Sequence, residues 1–510
     1  MTRTAQLLHE LLDHAAERTP HSVALSSQGS SLTYAELADA SAHMAARLHQ
    51  EGLRRGDRMV VTASDGIGIT LLVYAASRLG AVFSVLHEQV RGAPLEHVVK
   101  DCEPELLVSD DPEVAHTAVR HELTFLRIEE LVRSALDARS GTAPLLEDVG
   151  PLAVDPVSLI YTSGTTALPK AVVSTHQQVL FAATAIQTCL QYRADDVVYC
   201  PLPLSFDYGL YQVFLAALSG ARLHLGTVVE AGPPLLRSLE TAGATVLPGV
   251  PSVADRLAWL LRRNAGKLSK LRLLTNTGAA LSDSTMSALR EALPQLRVQV
   301  MYGLTECKRA AIMPPDGDLT HPGSCGIPLP GTEVFVIGDD GERLPPGEIG
   351  QFVVRGANVM AGYWRRPELT AERFPRAEGL FPELRTGDYG WQDKEGYLYF
   401  SGRRDDLYKE RGFRLSATEV EAAATRVDGV TSAAVLPPEG KRAALLAVVA
   451  DITADEVLDG MQEHIEPFKI PRRCVRLDAL PVNGNGKVDR KELAALIGKA
   501  TAASSSTGAL

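Results

Sequence analysis

The sequence predicts an α/β protein with a large N-terminal domain of helix-covered sheets, a small β-barrel-like region, and a small α+β C-terminal domain. Helix and strand signals alternate from Thr33 to Val300, which is the pattern of parallel sheets covered by helices. Beyond about residue 320 the texture changes to short strands punctuated by proline and glycine (CGIPLPGTEVFVI, GEIGQFVVRG, GYLYFSG). A charge-dense stretch, GRRDDLYKERGFR, then precedes a compact run with its own helix and strand signals. At 510 residues the chain also exceeds what one core usually supports. The expected domains are 1–404, 405–498 and a disordered tail over 499–510, TAASSSTGAL being the tail's sequence.

In chain order, Thr33 to Glu36 (TYAE) forms the Thr-x-x-Glu box that opens a helix, and Leu37, Met44 and Leu48 then recur on one helical face. A short strand follows at Met59–Val61, then an apolar helix carrying Arg78, the strand AVFSVL, the helix PLEHVVKDCEP and the strand LLVSD. Residues 134–156 form a polar connection with proline and glycine, and the α/β rhythm resumes from Val198.

Composition narrows the function. A net charge of −11 gives no footprint for a nucleic-acid backbone. The six cysteines are scattered, without CxxC or zinc spacing, and read as reduced thiols. The N-terminus carries acids among its leucines and is no secretory signal, and the most apolar stretch, Gly66 to Leu86, is broken by Arg78 and small polar residues. A cytoplasmic protein with neither nucleic-acid nor membrane partner is expected.

The sharpest chemical signal is Ile160 to Lys170 (IYTSGTTALPK), directly after the apolar Val157 to Ile160. Hydroxyls on Thr162, Ser163, Thr165 and Thr166, with Gly164 and Lys170, make an anion cradle on a turn. It is not a Walker A loop, because Pro169 and Ala171 stand where that motif needs glycine and Ser or Thr. Alone, the segment also reads as an ordinary Ser/Thr-rich surface loop.

The segment resembles the phosphate-binding loop of the adenylate-forming superfamily, which includes acyl-CoA synthetases, luciferases and the adenylation domains of nonribosomal peptide synthetases. Further motifs follow in that family's order: Met301 to Glu306 (MYGLTE), Gly347 to Gly350 with Gly362-Tyr363-Trp364, Thr386-Gly387-Asp388 with GYLYFSGR, Asp405 to Arg414 with Glu419, and Pro481 to Lys487 (PVNGNGK). The chain departs from the family pattern in having Ala167 and Ala171 where glycine is usual. A Cβ there restricts positive φ and close backbone approach, so a slightly altered rather than a dead loop is expected, with slower adenylation or reliance on accessory contacts as its two consequences to test.

The resemblance implies ATP-dependent attack of a carboxylate on the α-phosphorus, giving an acyl-adenylate and pyrophosphate, followed by transfer to a thiol. It implies that Thr162, Ser163, Gly164, Thr165, Thr166 and Lys170 hold phosphates, that Tyr302 stacks on adenine and that Thr305 touches the α-phosphate. Glu306 would hold Mg²⁺, a hard cation that prefers carboxylate oxygen. Asp388 would grip the ribose hydroxyls, Arg403 the ribose or phosphate, and Lys487 the reacting carboxylate. Asp405 would be the pivot about which a mobile C-terminal domain swings, and Gly412 would leave room for a pantetheine arm.

The activated acid is read from PLSFDYGLYQ. In amino-acid-activating relatives an aspartate after phenylalanine here pairs with the α-ammonium, and Asp207 fits that position. The following Tyr208-Gly209-Leu210-Tyr211 departs from the usual pattern, acyl ligases carry a similar FDYG, and Asp207 could instead cap a helix. Tyr208, Tyr211, Met301 and Arg309 are expected to line a small or medium cavity, with Thr275, Thr277 and Gly278 as its floor. The favoured reading is an enzyme loading an amino acid, or a similar small carboxylic acid, onto a free-standing carrier protein, since no carrier domain is seen in the chain. Coenzyme A as acceptor is the alternative. A degenerate adenylate-binding module, motivated by Ala167 and Ala171, is opposed by the retention of Glu306, Asp388 and Lys487.

Overall fold

The computed structural model describes residues 4–138, 150–162, 169–263, 268, 270–377, 381–403, 407–410, 413–438, 443–465, 467–482 and 488–506. Two compact units are present, one of Met1–Phe335, Val353–Thr386 and Lys394–Leu398, the other of Val336–Phe352, Gly387–Asp393 and Tyr399–Leu510.

The first unit carries two large sheets. The nine-stranded one runs Ile327–Pro328, Ala311–Ile312, Arg297–Tyr302, Leu273–Asn276, Val246–Gly249, Val197–Cys200, Arg222–Leu225, Val23–Ser27, Ser30–Thr33. Its centre is parallel and its edges antiparallel. The seven-stranded sheet runs Gly362–Tyr363, Lys170–Thr175, Pro156–Thr162, Val82–Leu86, Arg58–Thr62, Leu106–Ser109, Thr124–Leu126. The capping box is present as read: Thr33 accepts from the Glu36 N–H, and Glu36 returns to the Thr33 N–H, opening Tyr34–Gln50. Gly66–Leu79 is apolar on every side and therefore buried. Its one cation, Arg78, pairs with Asp13 and donates to Ser41. Among the described residues no helix is long and apolar enough to cross a membrane.

The site depends on where the parallel strands stop. Gly249, Asn276 and Val300 lie in register across three neighbouring strands, so the chain leaves all three at one edge of the sheet. Ligands of open α/β sheets bind at such carboxyl edges. The short-strand region after residue 320 forms a five-stranded sheet: Thr332–Ile337, Gly350–Gly356, Phe381–Gln392 and Arg376–Ala377 in that order, with Leu398–Arg403 paired to Phe381–Gln392.

In the second unit, Val430–Leu436, Leu445–Ala450 and Cys474–Arg476 form a three-stranded sheet, and helix Ala417–Thr425 contributes Val420 and Ala424 to a core with Val435, Leu446, Val448 and Val457. The charge-dense stretch contains the hairpin Leu407–Glu410/Phe413–Ser416. The last helix spans Arg490–Ser506, so residues 499–506, expected as tail, are helical; the alanines of KATAAS are strong helix formers that a composition argument underweights.

Candidate active site

Thr162 and Lys170, on either side of the Ser/Thr-rich segment, are register partners at the end of the hairpin Pro156–Thr162/Lys170–Thr175. The Thr162 hydroxyl donates to the Lys170 carbonyl at 3.4 Å. Ser163, Gly164, Thr165, Thr166 and Ala167 lie outside the described residues, as do Asp405, Gly412 and Lys487. Ala171 is a strand residue opposite Tyr161, and its methyl is buried among Leu159, Val173 and Val82. Extended backbone admits any Cβ, so alanine here brings no strain, contrary to what its departure from the family pattern suggests. Ala171→Gly is accordingly expected to lower the urea midpoint of the first unfolding transition by the equivalent of about 1 kcal/mol without quickening adenylation. A faster variant would return the loop argument to this position.

Lys170 reaches Glu306, its Nζ lying 3.8 Å from Oε1 and 3.9 Å from the centroid of the Tyr363 ring. Burial lowers the Lys170 pKa, with Glu306 opposing that shift. Glu306 is 7% exposed, and its Oε1 accepts from the Tyr363 hydroxyl at 2.7 Å. A buried hard carboxylate beside a lysine fits a magnesium ion whose remaining ligands come from phosphates and water. No cluster of three or more His, Cys, Asp or Glu suited to a metal occurs among the described residues. Thr305 is half-buried in the turn after Arg297–Tyr302. That turn requires Gly303, where a Cβ would lie 2.4 Å from the Lys308 carbonyl oxygen.

A second cluster forms where helix Asp207–Ser219 meets the strand ends. Phe206 is the N-cap, with no side-chain capping hydrogen bond, and Asp207 occupies the first helical turn, where a negative charge is favourable. Gly209 lets the helix start pack on the preceding segment, since a Cβ would meet the Pro203 oxygen at 2.4 Å. Asp207 is 7% exposed, and Tyr208 and Tyr211 are buried. The Tyr208 hydroxyl lies 2.6 Å from Thr275 Oγ1 and 2.8 Å from the Thr275 carbonyl. Arg309 stacks its guanidinium 4.9 Å from the Tyr208 ring centroid. Burial pushes both tyrosine hydroxyls up, with Asp207 adding to the shift at Tyr211 and Arg309 opposing both.

Sequence reasoning passed over Lys308. It is 1% exposed, has a left-handed backbone (φ 61°), and points its Nζ 5.7 Å from the Tyr211 ring centroid. That Nζ has no hydrogen-bond partner and no carboxylate within 4.0 Å among the described residues. Burial lowers its pKa, with Asp207 and then Glu306 opposing and Arg309 adding to it. The available signal was a Lys-Arg pair inserted between TEC and the apolar AAIM. Tyr363 was quoted only as part of a motif.

The structure thus brings Thr162, Lys170 and Glu306 together, and Asp207, Tyr208, Tyr211, Thr275 and Arg309. Met301 is buried in the apolar core with Ile312 and Leu329; Thr277 is buried, Gly278 exposed at φ 92°, and Tyr302 half-buried. Asp388, on Phe381–Gln392 and buried, and Arg403, on Leu398–Arg403, belong to the second unit.

Residues 12–364 match the AMP-binding enzyme family, and residues 419–487 match the AMP-binding enzyme C-terminal domain. The chain is 30% identical over 489 residues to a feruloyl-CoA synthase of Amycolatopsis, covering 94% of this chain and 96% of that protein. It is similar to VinN in complex with L-aspartate (40% identity, TM-score 0.71, 78% of this chain and 98% of that one). It is also similar to the O-succinylbenzoate CoA synthetase of Bacillus subtilis in complex with ATP and magnesium (26% identity, TM-score 0.82, 95% and 98%). The chain belongs to the adenylate-forming family of AMP-binding enzymes and is an AMP-forming acid–thiol ligase.

Proposed function

We propose that the protein activates a small amino dicarboxylic acid of the aspartate class as its acyl-adenylate and transfers it to the thiol of coenzyme A. The observation that carries the substrate is Lys308, a buried lysine whose Nζ has no hydrogen-bond partner among the described residues, in the same cluster as Asp207. A buried charge is retained at a loss unless something pairs with it. Asp207 pairs with a substrate ammonium, Lys308 with a second carboxylate, and Arg309 adds positive charge beside it. The reacting carboxylate is left to face Lys170 and the nucleotide. A monocarboxylic aryl or alkyl acid would leave Lys308 uncompensated. The L-aspartate in the VinN complex supports the same class.

Both half-reactions move negative charge onto oxygen, so fixed cations and donors matter more than a strong base. ATP is the co-substrate. Glu306 holds magnesium, which when bound neutralises the phosphates; Lys170 and the hydroxyls of 162–166 hold the β- and γ-phosphates, with Thr305 at the α-phosphate. By the family resemblance Asp388 would hold the ribose, Arg403 the ribose or phosphate, Tyr302 the adenine and Lys487 the reacting carboxylate, with Asp405 as the pivot and Gly412 leaving room for the thiol arm. The sequence favoured a carrier protein as acceptor. Relatives spanned along nearly their whole length are named as CoA ligases, and this supports coenzyme A instead.

Hydroxylamine trapping against aspartate-class diacids, neutral amino acids, and aryl and aliphatic acids tests the substrate. The diacids are expected to exceed the others by at least tenfold. A preference for aryl acids would remove the reading of Lys308. Thioester formation with CoA, compared with a phosphopantetheinylated carrier protein, tests the acceptor.

A further inference from the structure

We propose that Tyr363 is a positioning residue for nucleotide binding, its hydroxyl and ring holding Glu306 and Lys170 apart in the placement a magnesium–triphosphate group needs. Glu306 and Lys170 form a long ion pair at 3.8 Å in a largely buried setting, and left alone they would close to hydrogen-bonding distance. That closure would tie up the carboxylate meant for the cation and the ammonium meant for phosphate. Tyr363 opposes the collapse at both ends. Its hydroxyl donates to Glu306 Oε1 at 2.7 Å, and its ring face carries the Lys170 ammonium at 3.9 Å, so Nζ stays 3.8 Å from that oxygen.

Tyr363 is itself firmly held. It pairs with Val172 across the sheet, donates its N–H to Thr370 Oγ1 at 3.0 Å, and packs edge-on against Phe374. The next residues are tied to the loop's own strand through one buried carboxylate. Asp101 accepts from Arg366 at 2.6 Å and from the Tyr161 hydroxyl at 2.9 Å, while its carbonyl accepts from the Trp364 indole at 3.2 Å. Tyr161 immediately precedes Thr162, so Tyr363 and the strand that ends at Thr162 share a common support.

The inference rests on Glu306 as the magnesium carboxylate, and the test separates the two ideas. ATP binding is measured by titration calorimetry, with magnesium and with EDTA, for the unaltered protein, Tyr363→Phe and Glu306→Gln. Tyr363→Phe keeps the ring over Lys170 and removes only the hydroxyl. We expect it to weaken ATP binding about tenfold in magnesium, the scale of a hydrogen bond to a charged group, and to leave binding in EDTA unchanged. The ligand-free melting temperature should stay near that of the unaltered protein. Equal losses in both conditions, or none, overturn the role of Tyr363 provided Glu306→Gln shows a magnesium-specific loss. If Glu306→Gln shows no such loss, the assignment of Glu306 fails and takes the inference with it.

Discussion

Lys308→Met is expected to lower kcat/KM for an aspartate-class acid while making the ligand-free protein harder to unfold. Truncating one partner of a buried charge pair weakens binding by about 2–5 kcal/mol, or roughly 30- to several-thousand-fold. A lysine that merely filled space would leave kcat/KM unchanged, while methionine of similar length would still relieve the buried ammonium and stabilise the fold. The pH dependence follows from the same burial. The Lys308 pKa is lowered in the fold against about 10.4 in the unfolded chain, so between those values the unfolded state binds more protons. The stability of the ligand-free enzyme therefore carries a contribution from Lys308 that rises with pH through that window and vanishes in Lys308→Met. The charges of Asp207, Glu306 and Cys307 hold the shift back, while that of Arg309 adds to it. A substrate carboxylate arriving beside Lys308 raises its pKa, so binding takes up protons at pH values between the ligand-free and ligand-bound titrations. Calorimetry in buffers of differing protonation enthalpy measures this uptake, and uptake unchanged in Lys308→Met would sink the assignment.

What the sequence made legible was local chemistry. The Thr33–Glu36 box, the alternation from Met59 to Ser109, and the apolar helix with Arg78 all depend on spacing within one turn or strand, and each is present. Asp207, Tyr208 and Arg309 were legible as a group through family order, and the Tyr208 contacts to Thr275 and Arg309 join them. Lys308 was not legible, because a lysine after Glu-Cys reads as solvated. Its burial comes from tertiary packing, with the chain returning closely at Gly303 and the Tyr211 ring beside its Nζ. Tyr363 was hidden for a different reason: its partners Lys170, Glu306 and Thr370 come from separate segments whose sequence spacing carries no mutual signal. The Ala171 expectation misled because family comparison treats it as a loop position, whereas here it belongs to a strand.

Asp207→Ala is expected to abolish activation of amino-bearing acids to below about one hundredth, the scale of leaving a buried ammonium unpaired, and also to destabilise the fold. The second effect distinguishes Asp207 from an ordinary contact residue. Asp207 heads the groups that sustain charge on Lys308, and removing it leaves Lys308 and Arg309 with less compensation in a site already closed to water. If that account is right, the two substitutions are coupled. Lys308→Met in the Asp207→Ala background should recover stability, because neither charge then lacks its opposite, and the coupling energy should reach about 1–3 kcal/mol. Activity should not return with it, since the substrate's ammonium and second carboxylate both still lack partners. A deaminated diacid supplies the complementary check: it needs Lys308 but not Asp207, so its trapping rate should fall in Lys308→Met and persist in Asp207→Ala. Additive stabilities in the double variant would show that Asp207 and Lys308 do not share one electrostatic pocket, and the substrate class argued from them would have to be given up.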